Sequence, residues 1–157
     1  MRILAIDSSI NSTGWAILDN NELITFGTIK ANKKLDAIDR INYITKELKS
    51  IFNTKECEYI AIEKLVVFHK NSAKTIQNLN GLYVHLLCEF RKRNWLVIEV
   101  EPTKWKSYCE IKGRKREEQK ENTIKYVKSK YKVDILEDEA DAICIGEYGI
   151  NLEIEEE

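Results

Sequence analysis

The chain has 157 residues, a formal net charge of −1, 43% hydrophobic and 32% charged residues. That length fits one domain able to bury a core without disulfide or metal staples. No apolar run reaches the roughly 18–20 residues that span a bilayer, and the acid at Asp7 interrupts the opening apolar run too early for a signal peptide. A cytoplasmic protein with no membrane partner is therefore expected.

Arg2 to Asp7 reads as a first strand, Gly14 to Leu18 as a second and Glu22 to Lys30 as a third. Asp19-Asn20-Asn21 supplies turn chemistry between the last two, because Asn and Asp tolerate left-handed backbone. Leu35 to Phe52 carries helical spacing through Leu35, Ile38, Ile41, Ile44 or Thr45, Leu48 and Phe52. Tyr59 to Glu63 is a β-rich run ending in an acid. Asn71 is the expected N-cap of a helix to about Arg93, with an apolar stripe of Ile76, Leu79, Tyr83, Leu86 or Leu87, and Phe90. Leu96 to Val100 is a further strand, and Pro102 opens a short helix. A polar helix follows from about Lys115 to Lys130, then a last helix from Glu139 to Tyr148. Three meander strands followed by strands alternating with helices predict an α/β fold, a five-stranded mixed sheet flanked by helices. The expected organisation is one domain over residues 1–150 and an acidic tail over 151–157.

The four cysteines, Cys57, Cys88, Cys109 and Cys144, are scattered without a Cys-x-x-Cys pair, so reduced thiols are expected rather than a zinc site or disulfide framework. The near-zero net charge hides opposed regions. Thr103 to Lys130 holds ten basic residues and four acids, a local balance of +6, while Glu153 to Glu157 is acidic. Local asymmetry governs attraction to phosphates, because screening confines it to about 8–10 Å. A lysine-rich helix is ordinarily a solvated face; its position beside a candidate anionic substrate is what gives it weight.

Four acids stand out by placement. Asp7 and Glu63 end the first and fourth strands, and Asp138 and Asp141 lie three apart where the last helix begins, on one helical face. If the two strands are adjacent and parallel, Asp7 and Glu63 meet at their carboxyl ends, where open α/β sheets place ligand sites. Taken singly, each acid is ordinary: strand ends and helix starts are common places for carboxylates. Gathered on one edge they would repel and raise one another's pKa unless a divalent cation neutralised them. Carboxylate oxygens suit Mg²⁺ or Mn²⁺, and two such ions can serve phosphodiester hydrolysis.

Met1-Arg2-Ile3-Leu4-Ala5-Ile6-Asp7-Ser8-Ser9 followed by Thr13-Gly14-Trp15-Ala16-Ile17 resembles the opening motif of the RuvC resolvases. Ala61-Ile62-Glu63-Lys64 with Lys70-Asn71-Ser72-Ala73 is similar to their second motif, and Glu137-Asp138-Glu139-Ala140-Asp141-Ala142-Ile143 to their closing one. The resemblance spans nearly the whole chain. It implies a ribonuclease H-like fold and a structure-selective endonuclease that cuts Holliday junctions and other branched DNA by two-metal hydrolysis. Asp7, Glu63, Asp138 and Asp141 would be the catalytic and metal-binding set, with Mg²⁺ or Mn²⁺ as cofactor. It also implies a homodimer, with the helix from Asn71 to Arg93 contributing through Leu79, Leu82, Tyr83 and Leu86. The lysine-, isoleucine- and asparagine-rich usage resembles that of a phage of a low-GC Gram-positive host, such as a lactococcal phage.

Two departures bear on DNA contact. Where the better-known bacterial members carry an aromatic wedge three positions after the second acid, this chain has Val66, with Phe68, His69 and Lys70 just beyond as candidate junction contacts. The family's DNA-contacting lysines fall between Pro102 and Gln119, where Lys104, Lys106, Lys112, Arg114, Lys115 and Arg116 stand. Such cations would bind phosphates by counterion release, and Trp105 or Tyr108 could stack on unpaired bases, one of the two being core. Other readings weighed are a nuclease for RNA or RNA–DNA hybrids and a non-catalytic DNA-binding scaffold. An actin-like or sugar-kinase-like nucleotide-binding domain is disfavoured by 6 glycines and no second lobe, so no nucleotide cofactor is expected.

Overall fold

The structure is a computed structural model that describes residues 1–20, 22–66 and 72–156, the side chains of 153–156 excepted. Its strands are β1 (Arg2–Asp7), β2 (Thr13–Asp19), β3 (Glu22–Ile29), β4 (Tyr59–Glu63) and β5 (Leu96–Val100). They form one sheet in the order β3-β2-β1-β4-β5. β1, β2 and β3 pair antiparallel, and β4 runs parallel to both β1 and β5. The expected five-stranded mixed sheet is present.

Side chains alternate across the sheet with period two, and the two faces collect different cores. Leu4, Ile6, Ile17, Ile60 and Ile62 face α1 (Ala37–Thr54) and α2 (Ala73–Arg91), whose Ile44, Leu48, Phe52, Leu82, Leu86 and Phe90 complete that layer. Ile3, Ala5, Ala16, Leu18 and Ala61 face the other way, towards α3 (Pro102–Tyr108), α4 (Arg116–Tyr131) and α5 (Glu137–Glu156). The second layer is built for close approach: a Cβ on Gly146 would lie 2.9 Å from the Ala5 Cβ. Small residues on sheet and helix therefore let α5 lie directly on the central strands, and Ala142, Ile143, Cys144 and Ile145 are fully buried. Each large apolar side chain buried there stabilises the fold by about 1.5–3 kcal/mol.

The same alternation aims the acids. Asp7 continues the parity of Ile3 and Ala5, and Glu63 that of Tyr59 and Ala61, so both carboxylates emerge on the α5 side of the sheet.

Several boundaries and faces differ from expectation. α1 begins at Ala37 with Asp36 as cap, its carboxylate accepting from the Asp39 N–H at 2.8 Å. Leu35 thus precedes the helix, and Ile38, expected inside, is 70% exposed. α2 is capped by Ser72, which accepts from the Thr75 N–H; Asn71, the expected cap, lies outside the described residues. Its buried stripe is Leu82, Leu86 and Phe90: Leu86 and Phe90 are as expected, Tyr83 packs there only partly buried, and Leu82 is the core position that was not expected. Leu82 and Leu86 are therefore core residues and do not face a partner. α5 starts two residues earlier than expected and continues to Glu156, through positions assigned to the tail. Among the described residues, no helix is long and apolar enough to cross a membrane, and all four cysteines are free.

Candidate functional site

Parallel pairing sets Ile6 opposite Ile62, so Asp7 and Glu63 end neighbouring strands at the same sheet edge. The antiparallel partner of Asp7 is Gly14, and directly over Gly14 sits the backbone of Asp138. A Cβ at residue 14 would fall 2.0 Å from the Asp138 carbonyl oxygen. The missing side chain is what allows the start of α5 to reach the end of β1. Asp138 and Asp141, one turn apart, then face the same opening as Asp7 and Glu63. All four acids line one cleft of about 710 Å³.

The electrostatics of the cleft follow from that crowding. Asp7 is held well above the ordinary 3.8, by desolvation first and then by the charges of Asp141, Glu63 and Asp138. Asp141 is pushed up to about 7 by burial and by Glu63, with Lys106 opposing. Glu63 is also raised by burial, against the lowering effects of a Trp105 hydrogen bond and of Lys106 and Arg116.

Two of the carboxylates are engaged by neighbours. Ser12 Oγ donates to Asp138 Oδ2, and the buried Trp105 donates through Nε1 to Glu63 Oε2 at 2.5 Å. As these side chains stand, no three acidic, histidine or cysteine groups among the described residues form a cluster that could hold a metal ion.

Of the basic candidates, Lys106, Arg114 and Arg116 line the cleft, joined by Lys64 and Lys120. Lys104, Lys112 and Lys115 are exposed and lie outside that lining, Lys115 as the cap of α4. Glu118 holds the entry to α4 by accepting from the Arg114 N–H at 2.9 Å and the Lys115 N–H at 3.4 Å. Lys120 pairs with Glu137, fastening α4 to the first turn of α5. Trp105 proves to be core and Tyr108 is 45% exposed. Val66, at the wedge position, is 47% exposed; Phe68, His69 and Lys70 lie outside the described residues.

Ser12, Glu137, Lys64 and the Trp105–Glu63 bond had not been singled out from sequence. Ser12 sits in the loop after Asp7, and no local periodicity marks it. Glu137 and Lys64 stand inside the quoted motifs, so adjacency to the acids was the available signal.

The crowding gives a pH prediction for the metal-free protein. Asp141 titrates higher in the folded chain than its ordinary 3.8, so folding retains a proton that the unfolded chain releases. Its contribution to stability is complete below about pH 4 and is lost as pH rises through 7. Urea denaturation in chelator should show stability falling between those limits by on the order of 2–4 kcal/mol. Glu89, held down to about 2 by Lys49 and Lys92, acts in the opposite sense and only below its ordinary 4.5. A flat profile from pH 4.5 to 7.5 would show that the acids are not crowded in solution.

The family described as Lactococcus phage M3 protein matches residues 1–151, in line with the phage-like residue usage. The crossover junction endodeoxyribonuclease RuvC of Petrotoga mobilis is 31% identical over 148 residues, covering 92% of this chain and 90% of the relative. The structure of Thermus thermophilus RuvC in complex with a Holliday junction substrate superposes with a TM-score of 0.79 at 14% identity, over 98% of this chain and 96% of that one. The yeast mitochondrial Holliday junction resolvase gives a TM-score of 0.65 at 16% identity, over 99% and 80%. These likenesses carry the ribonuclease H-like fold, and the matches along the sequence carry the family: the chain belongs to the RuvC family of crossover junction endodeoxyribonucleases.

Proposed function

We propose that this protein is a divalent-metal-dependent endonuclease that hydrolyses phosphodiester bonds in branched DNA, four-way junctions above all, and that it acts in the cytoplasm as a homodimer. The observation that carries the reading is the convergence of Asp7, Glu63, Asp138 and Asp141 on one cleft whose lining also bears Lys64, Lys106, Arg114, Arg116 and Lys120. The acids would form the catalytic, metal-binding set.

Mg²⁺ or Mn²⁺ fits the donor set. Every candidate ligand is a hard carboxylate oxygen, and Asp7 and Asp141 are both raised, first by desolvation and then by neighbouring carboxylates, as buried acids short of counter-charge are. A bound pair of ions supplies neutralisation of the attacking and leaving oxygens in hydrolysis. The chain's own cations do the remaining work. Lys106, Arg114 and Arg116 seat the phosphates flanking the scissile bond, and Lys120 keeps α4 docked through Glu137. Two opposed nicks in a four-way junction need two such clefts, which a two-fold dimer supplies.

The test is cleavage of a synthetic four-way junction beside a linear duplex of the same sequence, with and without Mg²⁺ or Mn²⁺. Metal-dependent nicking of the junction is the expected result. Tight junction binding with no cleavage in either metal would favour a scaffold. Neither binding nor cleavage, with activity on RNA–DNA hybrids, would replace DNA as substrate.

A second measurement addresses the cations. Replacing Lys106, Arg114 and Arg116 together with Ala should weaken junction binding at 100 mM salt by roughly 10- to 100-fold. It should also reduce the slope of log K against log salt by about 2–3, since each phosphate contact contributes about 0.9. An unchanged slope would remove these residues from the DNA interface.

A further inference from the structure

Trp105 is fully buried, on the seven-residue helix α3 that leaves the sheet directly after β5. A buried indole N–H needs an acceptor, because leaving it bare costs the desolvation of a polar group. In a core of aliphatic side chains the usual acceptor is a backbone carbonyl. Here it is Oε2 of Glu63, at 2.5 Å, on the edge of the acidic cleft. The lysine after it reinforces the arrangement. Lys106 lies 5.3 Å from the centroid of the Trp105 ring and donates to Gln119 Oε1 at 3.3 Å, linking α3 to the basic helix α4. Of the four acids, Glu63 has the longest side chain and the most rotamers to restrict.

We propose that Trp105 is a positioning residue for Glu63: its indole N–H holds Oε2 and leaves Oε1 as the oxygen offered to a divalent cation. The inference rests on the metal-dependent reading above. It has a consequence that ordinary core packing lacks, namely that cation binding in the cleft is felt at the indole through a single shared carboxylate. Partners that orient a metal ligand in this way typically change metal affinity 10- to 100-fold when removed.

The experiment is ¹H–¹⁵N correlation spectroscopy of the full chain, read at its three indole resonances, together with calorimetric titration of Mg²⁺ into the metal-free protein. Glu63→Gln should move one indole resonance, and in the wild type Mg²⁺ should move that same resonance. Trp105→Phe fills most of the volume without the donor and should bind Mg²⁺ roughly 10- to 100-fold more weakly. Val127→Ala, which opens a cavity in the same core layer, should lower stability and leave Mg²⁺ affinity at the wild-type value. Wild-type Mg²⁺ affinity in a folded Trp105→Phe overturns the proposal while the metal reading stands. If Trp105→Phe does not fold, the wild-type and Glu63→Gln spectra decide: backbone amides that report Mg²⁺ binding while the Glu63-sensitive indole stays still also overturn it. A wild type that binds no Mg²⁺, yet whose indole still responds to Glu63→Gln, removes the metal reading and the proposal with it.

Discussion

Asp7→Asn is expected to lower metal-dependent junction cleavage by on the order of a thousandfold or more, while raising the thermal midpoint of the metal-free protein at pH 7. The loss should exceed the 10- to 100-fold typical of groups that only orient a metal ligand, because Asp7 lies at the centre of the acid cluster. The gain has the opposite physical origin. Asp7 is desolvated and faces Asp141, Glu63 and Asp138, which hold its proton on well above the ordinary 3.8. Asn is nearly isosteric and carries no charge to desolvate. At pH 7 the substitution should therefore stabilise the metal-free protein, and the gain should shrink as pH falls towards the ordinary carboxylate range. In a domain of this size each kcal/mol moves the midpoint by roughly 2–4 °C. Melting curves at pH 4.5 and 7.5 with parallel cleavage assays read both signs. Retained cleavage would remove Asp7 from the catalytic set, and loss of folding would make it structural.

Gly14→Ala should be the most damaging single methyl group in the chain. The new Cβ would meet the Asp138 carbonyl oxygen at 2.0 Å and its carbon at 2.3 Å. Both atoms belong to the backbone of α5, which cannot swing aside as a side-chain end can. Relief requires the start of α5 to move by about 1 Å or more, at a cost of roughly 3 kcal/mol, the upper range for overpacking. The same movement carries Asp138 and Asp141 away from Asp7, and a displacement of that size can reduce a rate by about 10²-fold. Gly81→Ala is the control. Its Cβ would lie 3.4 Å from Ile41 Cδ1, an ordinary contact, in the middle of α2. Helix propensity then favours alanine by up to about 1 kcal/mol. Chemical denaturation and cleavage rates for both variants test the account. A Gly14→Ala protein with wild-type stability would show that α5 does not depend on that close approach.

The chain by itself marked the elements and put the four acids forward as candidates. Short apolar, β-rich runs marked β1 and β4, spacing marked α1 and the acids of α5, and Pro102 opened α3, because these signals are local and survive without tertiary context. Element ends were less legible. Ser72 rather than Asn71 caps α2, and α5 continues to Glu156. Faces were decided only by packing. The stripe of α2 is Leu82, Leu86 and Phe90 because that is the side on which Leu4, Ile6 and Ile62 of the sheet wait to be covered; apolar residues on several sides of one helix leave its phase open until a partner is present. The site shows the same division. Asp7, Glu63, Asp138 and Asp141 could be named from position, but their common side of the sheet required the β1–β4 register. The reach of α5 required a bare Gly14 beneath Asp138. The bonds of Ser12 and Trp105 to carboxylates 126 and 42 residues away carry no sequence signal, although Trp105 itself stood out as a core or base-stacking candidate. Contacts at such separations are fixed by the sheet order and by how closely α5 can lie on it, and no periodicity along the chain encodes either.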